Sequence, residues 1–308
     1  MPLLTPVFVS IHSIHPLISW SLHQDISTKP DRRLTDSITH FGLMRPPIVR
    51  PNQKAYELIC GARRLNALKL SQPSPNIACL LVDENADADD VLQLVAEDQL
   101  QSGPLSPIEA ARFIALCQQR CQRPDAQLLN RATATTSTLL RQRLVTLLEL
   151  EEPIRFSIHQ DKISAQTGFF LVQLSQAERL FVFELFTRLS LNNNKQRQFL
   201  ELARILTAGQ GCTIERFMTE HFPEFCRGVV DNVPQHTHRL MQQLHQRSHP
   251  DSSRAKEQFS KKVAEKNLPK NCRVLPTPAF ESDKVTLEVE FSDFDSFSKA
   301  WDKIKGSI

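Results

Sequence analysis

The 308-residue sequence predicts an α+β domain at the N-terminal end, an all-α middle and a small α+β unit at the C-terminal end. Three observations predict this. Residues 42–70, GLMRPPIVRPNQKAYELICGARRLNALKL, read as a helix end, a strand, a turn, a strand and a new helix. Residues 107–150 carry apolar positions at helical spacing, and the pattern continues to about residue 230. Residues 285–291, VTLEVEF, alternate with period two ahead of an amphipathic segment.

In chain order, residues 7–11 predict a first strand and residues 12–30, with Pro16 and Pro30, an irregular stretch. Asp31 is placed to cap a helix that ends at Gly42. Residues 47–50 and 55–59 are β-prone runs around the turn-type cluster Pro51-Asn52-Gln53-Lys54. Gly61 then stands at a strand-to-helix junction, with Arg63 and Arg64 in the first helical turn. Backbone N–H groups and the positive end of the helix dipole make such a junction an anion site, and two arginines there call for something negative nearby. Residues 76–82 predict a buried strand, and the acidic run 83–90 starts a helix. A further amphipathic helix covers 107–121.

The order and spacing of Gly42-Leu43-Met44-Arg45-Pro46-Pro47-Ile48-Val49-Arg50, Tyr56-Glu57-Leu58-Ile59 and Gly61-Ala62-Arg63-Arg64 resemble the N-terminal domain of ParB proteins. These are centromere-binding factors of bacterial and plasmid partition. The lead-in Leu34-Thr35-Asp36-Ser37-Ile38 and the downstream Leu105-Ser106-Pro107-Ile108-Glu109-Ala110 match family motifs as well. The resemblance covers roughly residues 7–180. It implies a ParB/sulfiredoxin-like N-terminal fold followed by a helix-turn-helix. It also implies CTP and Mg²⁺ as cofactors, with Gly61, Arg63 and Arg64 on the phosphates and Asp98 and Gln99 at the metal. The sequence departs from the family where Ala62 replaces a glutamate and Ser102 an arginine, and where an upstream Q-P-R is missing. CTP hydrolysis is therefore expected to be weak or absent. The same fold also occurs in transcriptional regulators, in nuclease-like and small-molecule kinase enzymes, and in sulfiredoxins. Sulfiredoxins need a cysteine after the phosphate-loop glycine, where this chain has Ala62, while Cys60 precedes the glycine.

By the same resemblance, residues 125–132 form the first helix of the helix-turn-helix, 134–136 the turn and 137–150 the second helix. Ser137, Thr138, Arg141, Gln142 and Arg143 are suited to phosphate and base-edge contacts. Leu139, Leu140, Leu144, Leu147 and Leu148 are expected to supply the core stripe. The turn has no glycine, which such turns usually contain. The predicted division is 1–105, 106–180, a helical extension 181–235, a basic linker or helix 236–270, and a C-terminal unit 271–308 in the position of a dimerisation module. Lys256, Lys261, Lys262 and Lys266 in the basic stretch would add salt-sensitive phosphate affinity.

Net charge is only +3, so the distribution of charge matters more than its sum. Seven cysteines without a CxxC pair argue for free thiols in a reducing compartment. His236, His238, His245 and His249 lack an acid or cysteine at ligand spacing and read as solvated. No signal peptide or membrane span is expected. The expected partners are double-stranded DNA, a ParA-type ATPase and a second copy of the chain, in the cytoplasm and on the nucleoid.

Overall fold

The structure is a computed structural model that describes residues 4–15, 20–23, 32–70, 76–121, 125–227, 232–277 and 284–305. The chain forms two units. One comprises residues 1–184 and 192–196, the other 185–191 and 197–308.

The first unit opens with β1 (Thr5–Ser10), a single 3₁₀ turn and β2 (Ile14–His15). β2 lies within the stretch expected to be irregular. Two residues suffice for it because Ile14 and His15 pair in parallel with Tyr56 and Glu57. Next come α1 (Arg32–Phe41), β3 (Ile48–Asn52), β4 (Ala55–Cys60), α2 (Ala62–Leu70) and β5 (Asn76–Leu81). The expected cap Asp31 lies outside the described residues. Gly42 ends α1 at φ +73°, the left-handed conformation that suits glycine, and its N–H donates to the Ile38 carbonyl. The strands make one mixed sheet in the order β1-β5-β3-β4-β2.

Both faces of this sheet are covered. Period-two alternation sends Val9, Val49, Leu58, Ile77 and Cys79 to the side of Leu65 and Leu68 on α2 and Ile38 on α1. Ile48, Ile59 and Cys60 face the other way. A bulge allows Ile59 and Cys60 to share that face: Ile48 pairs with Cys60 but Val49 with Leu58, leaving an extra residue in β4. Their core continues through α3 (Ala88–Leu100) and α4 (Pro107–Arg120) to Leu128 and Ala132 on α5 (Ala126–Thr133).

Each of these three helices starts as its sequence requires. Asp87 accepts from the N–H of Asp90, Ser106 and Glu109 form a reciprocal capping box with Pro107 at the first helical position, and Asp125 accepts from Gln127 and Leu128. After α5, the turn carries Ala134 at φ 51°. A non-glycine residue in that conformation costs about 1–2 kcal/mol, which is how the turn closes without a glycine. α6 (Thr138–Thr146) is capped by Ser137 and passes into a 3₁₀ turn at Leu147–Glu149. α7 (Glu152–His159) and α8 (Ala165–Leu171) follow.

α9 (Gln176–Arg188) and α10 (Asn193–Ala208) cross from one unit to the other. The second unit continues with α11 (Ile214–His221), α12 (Pro223–Cys226), α13 (Val233–Ser248) and α14 (Pro250–Glu265). Its core is aromatic: Phe186 meets Phe199 edge-on, and Phe217, Phe222 and Phe225 pack in sequence. β6 (Cys272–Pro276) and β7 (Val285–Val289) form an antiparallel hairpin, followed by α15 (Phe294–Lys305). No helix among the described residues is long and apolar enough to cross a membrane.

Candidate functional site

Two regions gather the residues singled out by the sequence. The first is the Gly61 junction. Gly61 has φ +97°, and a Cβ there would stand 3.1 Å from the Cα of Pro47, so glycine alone fits between β4 and α2. α2 begins at once, with the Leu65 N–H donating to the Gly61 carbonyl.

The negative group that two arginines at this helix start call for is Asp98, near the end of α3. The Arg64 guanidinium donates to both Asp98 oxygens, at 2.9 and 3.2 Å, and to the carbonyls of Arg45 and Pro46 at 2.9 and 3.3 Å. Both partners are largely shielded, with side chains 17% and 13% exposed. Both carboxylate oxygens share the one nitrogen Nη2, while Nη1 serves the two carbonyls, so both terminal nitrogens of the guanidinium are engaged within the protein. Arg45 lies 3.7 Å from the same carboxylate and reaches Gln101 and Ser102. Arg63 is exposed.

Next to the junction is a cleft. Residues 20–23 form one wall, residues 58–62 another, and Val95 and Gln99 of α3 close it. Trp20 is fixed there by donating to Glu57 at 3.1 Å, with the Arg120 guanidinium 4.0 Å over its ring. Gln99 meets His23 at 3.1 Å. His23 approaches Glu109 at 3.3 Å, and the other oxygen of Glu109 accepts from the Ser106 N–H at 2.9 Å. The Ser106 hydroxyl meets His159 of α7 at 2.8 Å. Polar contacts thus run unbroken from the cleft to α7. Burial alone would raise the Glu109 carboxyl; hydrogen bonds from His23 and Ser106 and the nearby His159 outweigh it and hold it below the ordinary value.

Of the residues expected at this site, Gly61 and Gln99 line the cleft, Arg64 and Asp98 pair beside Gly61, and Arg63 is exposed. Sequence reasoning did not single out Arg45 or His23. Arg45 lies inside the quoted motif, but His23 has no local signal, because Gln99 and Glu109 are distant in sequence. Cys60 is buried, and its thiol is pushed far up, first by burial and then by the Asp98 charge. A thiol so held is a poor nucleophile at neutral pH. Among the described residues, no three His, Cys, Asp or Glu side chains converge as metal ligands do.

The second region is α6. Residues 136–140 are exposed without a break, as are Gln142 and Arg143. Ser137 accepts from the Leu140 N–H as the helix cap. Arg143 lies 4.4 Å over the ring of Phe169. Arg141 is turned inward, donating to the Thr135 carbonyl at 2.9 Å and to the Asn130 side chain, and so braces the α5–α6 turn. The expected core stripe holds at Leu144 and Leu147 but not at Leu139 and Leu140, which are 68% and 37% exposed. α4 and α8 pack against α6; Leu139 points off the Leu144–Leu147 line, and Leu140 lies on that line one turn before Leu144 but is left partly exposed. Lys261, Lys262 and Lys266 are exposed in the second unit, whereas the side chain of Lys256 lies outside the described residues.

Residues 9–97 match the family model of the ParB N-terminal domain. The probable chromosome 1-partitioning protein ParB of Deinococcus radiodurans is 30% identical over 186 residues, which are 59% of this chain and 61% of that one. The chromosome-partitioning protein Spo0J of Thermus thermophilus is 31% identical over 154 residues, 49% of this chain and 54% of its own. The chain thus spans between about half and three-fifths of the length of these relatives. A solved structure of the C-terminally truncated chromosome-partitioning protein ParB from Caulobacter crescentus, complexed to the centromeric parS site, is 14% identical. It covers 63% of this chain and 98% of its own, with a TM-score of 0.35. Overlap at that level assigns no residue a role. The chain is thus similar to the ParB N-terminal domain family over residues 9–97, and to these ParB and Spo0J relatives over about half of its length.

Proposed function

We propose that the chain is a ParB-like protein that binds duplex DNA and acts in chromosome or plasmid partition. One observation carries the DNA reading: α6 exposes Thr138, Gln142 and Arg143 beyond the Ser137 cap and contains no acidic residue. A helix so furnished can enter a major groove with its N-terminal turn toward the bases and pair its polar side chains with base edges and phosphates. The names of the two relatives support the partition role. Replacing Gln142 and Arg143 by alanine should weaken binding by about 1–3 kcal/mol per base edge no longer read. Fluorescence anisotropy on genomic fragments captured by the wild type measures this, and equal affinities would sink the proposal.

The Gly61 junction, in the same reading, takes a cytidine nucleotide. Its residues suit a phosphate-bearing ligand: a helix start without side-chain bulk at Gly61, Arg63 exposed, and Arg64 already donating through Nη2 to an oxyanion. Gly61, Arg63 and Arg64 would hold the phosphates, and Asp98 and Gln99 the Mg²⁺ that offsets their charge. Asp98 and a phosphate compete for the same guanidinium, which agrees with weak, Mg²⁺-dependent binding and little turnover. The remaining partners we propose are a second copy of the chain, through the C-terminal unit, and a ParA-type ATPase, on the nucleoid in the cytoplasm.

A further inference from the structure

The exposed side of α6 bears an apolar group that phosphate contacts and hydrogen bonds leave unused. Leu139 stands in the first turn, 68% exposed. Gln142, Arg143 and Thr146 follow it at three, four and seven positions and therefore share its face. Leu144 and Leu147, at 7% and 0%, hold the helix to its own unit from another side. Leu139 is thus no part of the core, and replacing it removes no buried packing. An exposed leucine is ordinary on a protein surface. This one lies on a polar face with an arginine and no acid, at the end of the helix from which base edges are read. The apolar group that the major groove offers there is the C5-methyl of thymine.

We propose that Leu139 is a specificity-determining residue that packs against a thymine methyl group in the DNA sequence this protein prefers. Gln142 and Arg143 supply the polar contacts from the same face. The inference rests on the DNA-binding reading of α6 and adds a base identity to it.

The test uses the full chain and duplexes enriched by repeated selection from a random-sequence pool. Each thymine of the best duplex is replaced in turn by deoxyuridine, which lacks only the methyl group. For the wild type, one such replacement should weaken binding about fourfold, the worth of one buried methyl. Leu139→Ala should bind both duplexes equally and select sites that no longer favour thymine at that position. Leu139→Met keeps an apolar contact and should retain the loss on deoxyuridine. Circular dichroism checks that both variants fold, as the exposure of Leu139 leads one to expect. Selected duplexes that bind the wild type equally well with deoxyuridine at every position would overturn the Leu139 assignment and leave DNA binding standing. If selection enriches no sequence and no duplex binds, both fall.

Discussion

At the residue scale, Arg64 and Asp98 decide how the Gly61 junction treats an anion. Asp98 holds Nη2 of Arg64 at 2.9 and 3.2 Å and the Arg45 and Pro46 carbonyls hold Nη1, so a phosphate that takes Nη2 must displace Asp98. Asp98→Asn removes the competing charge. In the presence of a chelator, pyrophosphate and CTP should bind the variant about tenfold more tightly or better, since a charge-assisted hydrogen bond is worth about 1.5–3 kcal/mol. The Mg²⁺ dependence should vanish at the same time. Calorimetry reads both, and unchanged or weaker chelator-state binding would show that Asp98 does not compete. The junction itself was legible: a β-prone run, a glycine and two arginines state a strand, a tight turn and an unmet need for negative charge. Its answer was not, because Asp98 lies 34 residues further on and sequence proximity carries no such pairing.

At the element scale, α4 joins the cleft to the helices beyond it. Its start, Ser106-Pro107-Ile108-Glu109, stands out in the sequence only as a family motif; the serine and glutamate three apart also form a capping box that satisfies two helix-end donors reciprocally. The histidines at both ends of that box were not legible, because His23 and His159 come from segments 86 and 50 residues away from Glu109. α6 departs from its sequence pattern in a different way. The five leucines of α6 and the 3₁₀ turn after it read as one stripe by composition, but helical geometry turns Leu139 off the line of Leu144 and Leu147, and Leu140, one turn before Leu144, is 37% exposed. The Glu109 arrangement has a pH signature. Its folded value lies below the ordinary 4.5, so the stability it contributes is complete above about pH 4.5 and is lost as pH falls through the lower folded value. Glu109→Gln should therefore lower stability at pH 7, by about 1–3 kcal/mol, and flatten the acid side of the stability profile. Urea unfolding between pH 3 and pH 7 tests this; a variant as acid-sensitive as the wild type would contradict it.

At the scale of the whole molecule, charge is placed rather than abundant. Lys261, Lys262 and Lys266 are exposed around the end of α14, while the net charge is only +3. Neutralising them together with Lys256 should reduce the slope of log K against log salt by about 0.9 for each phosphate no longer neutralised. Sequence preference should stay the same. An unchanged slope would mean that these lysines serve solubility alone.

The division between the two units falls inside helices, after Glu184 in α9 and after Gln196 in α10. Dissecting the protein is therefore unlike trimming a tether. A fragment that stops at residue 184 severs a helix and discards Leu185, Phe186 and Leu189, which are buried in the intact chain. Two-part expression, domain exchange and fusion partners would all have to respect whole helices here, and any inheritance of one half without the other would have to do the same.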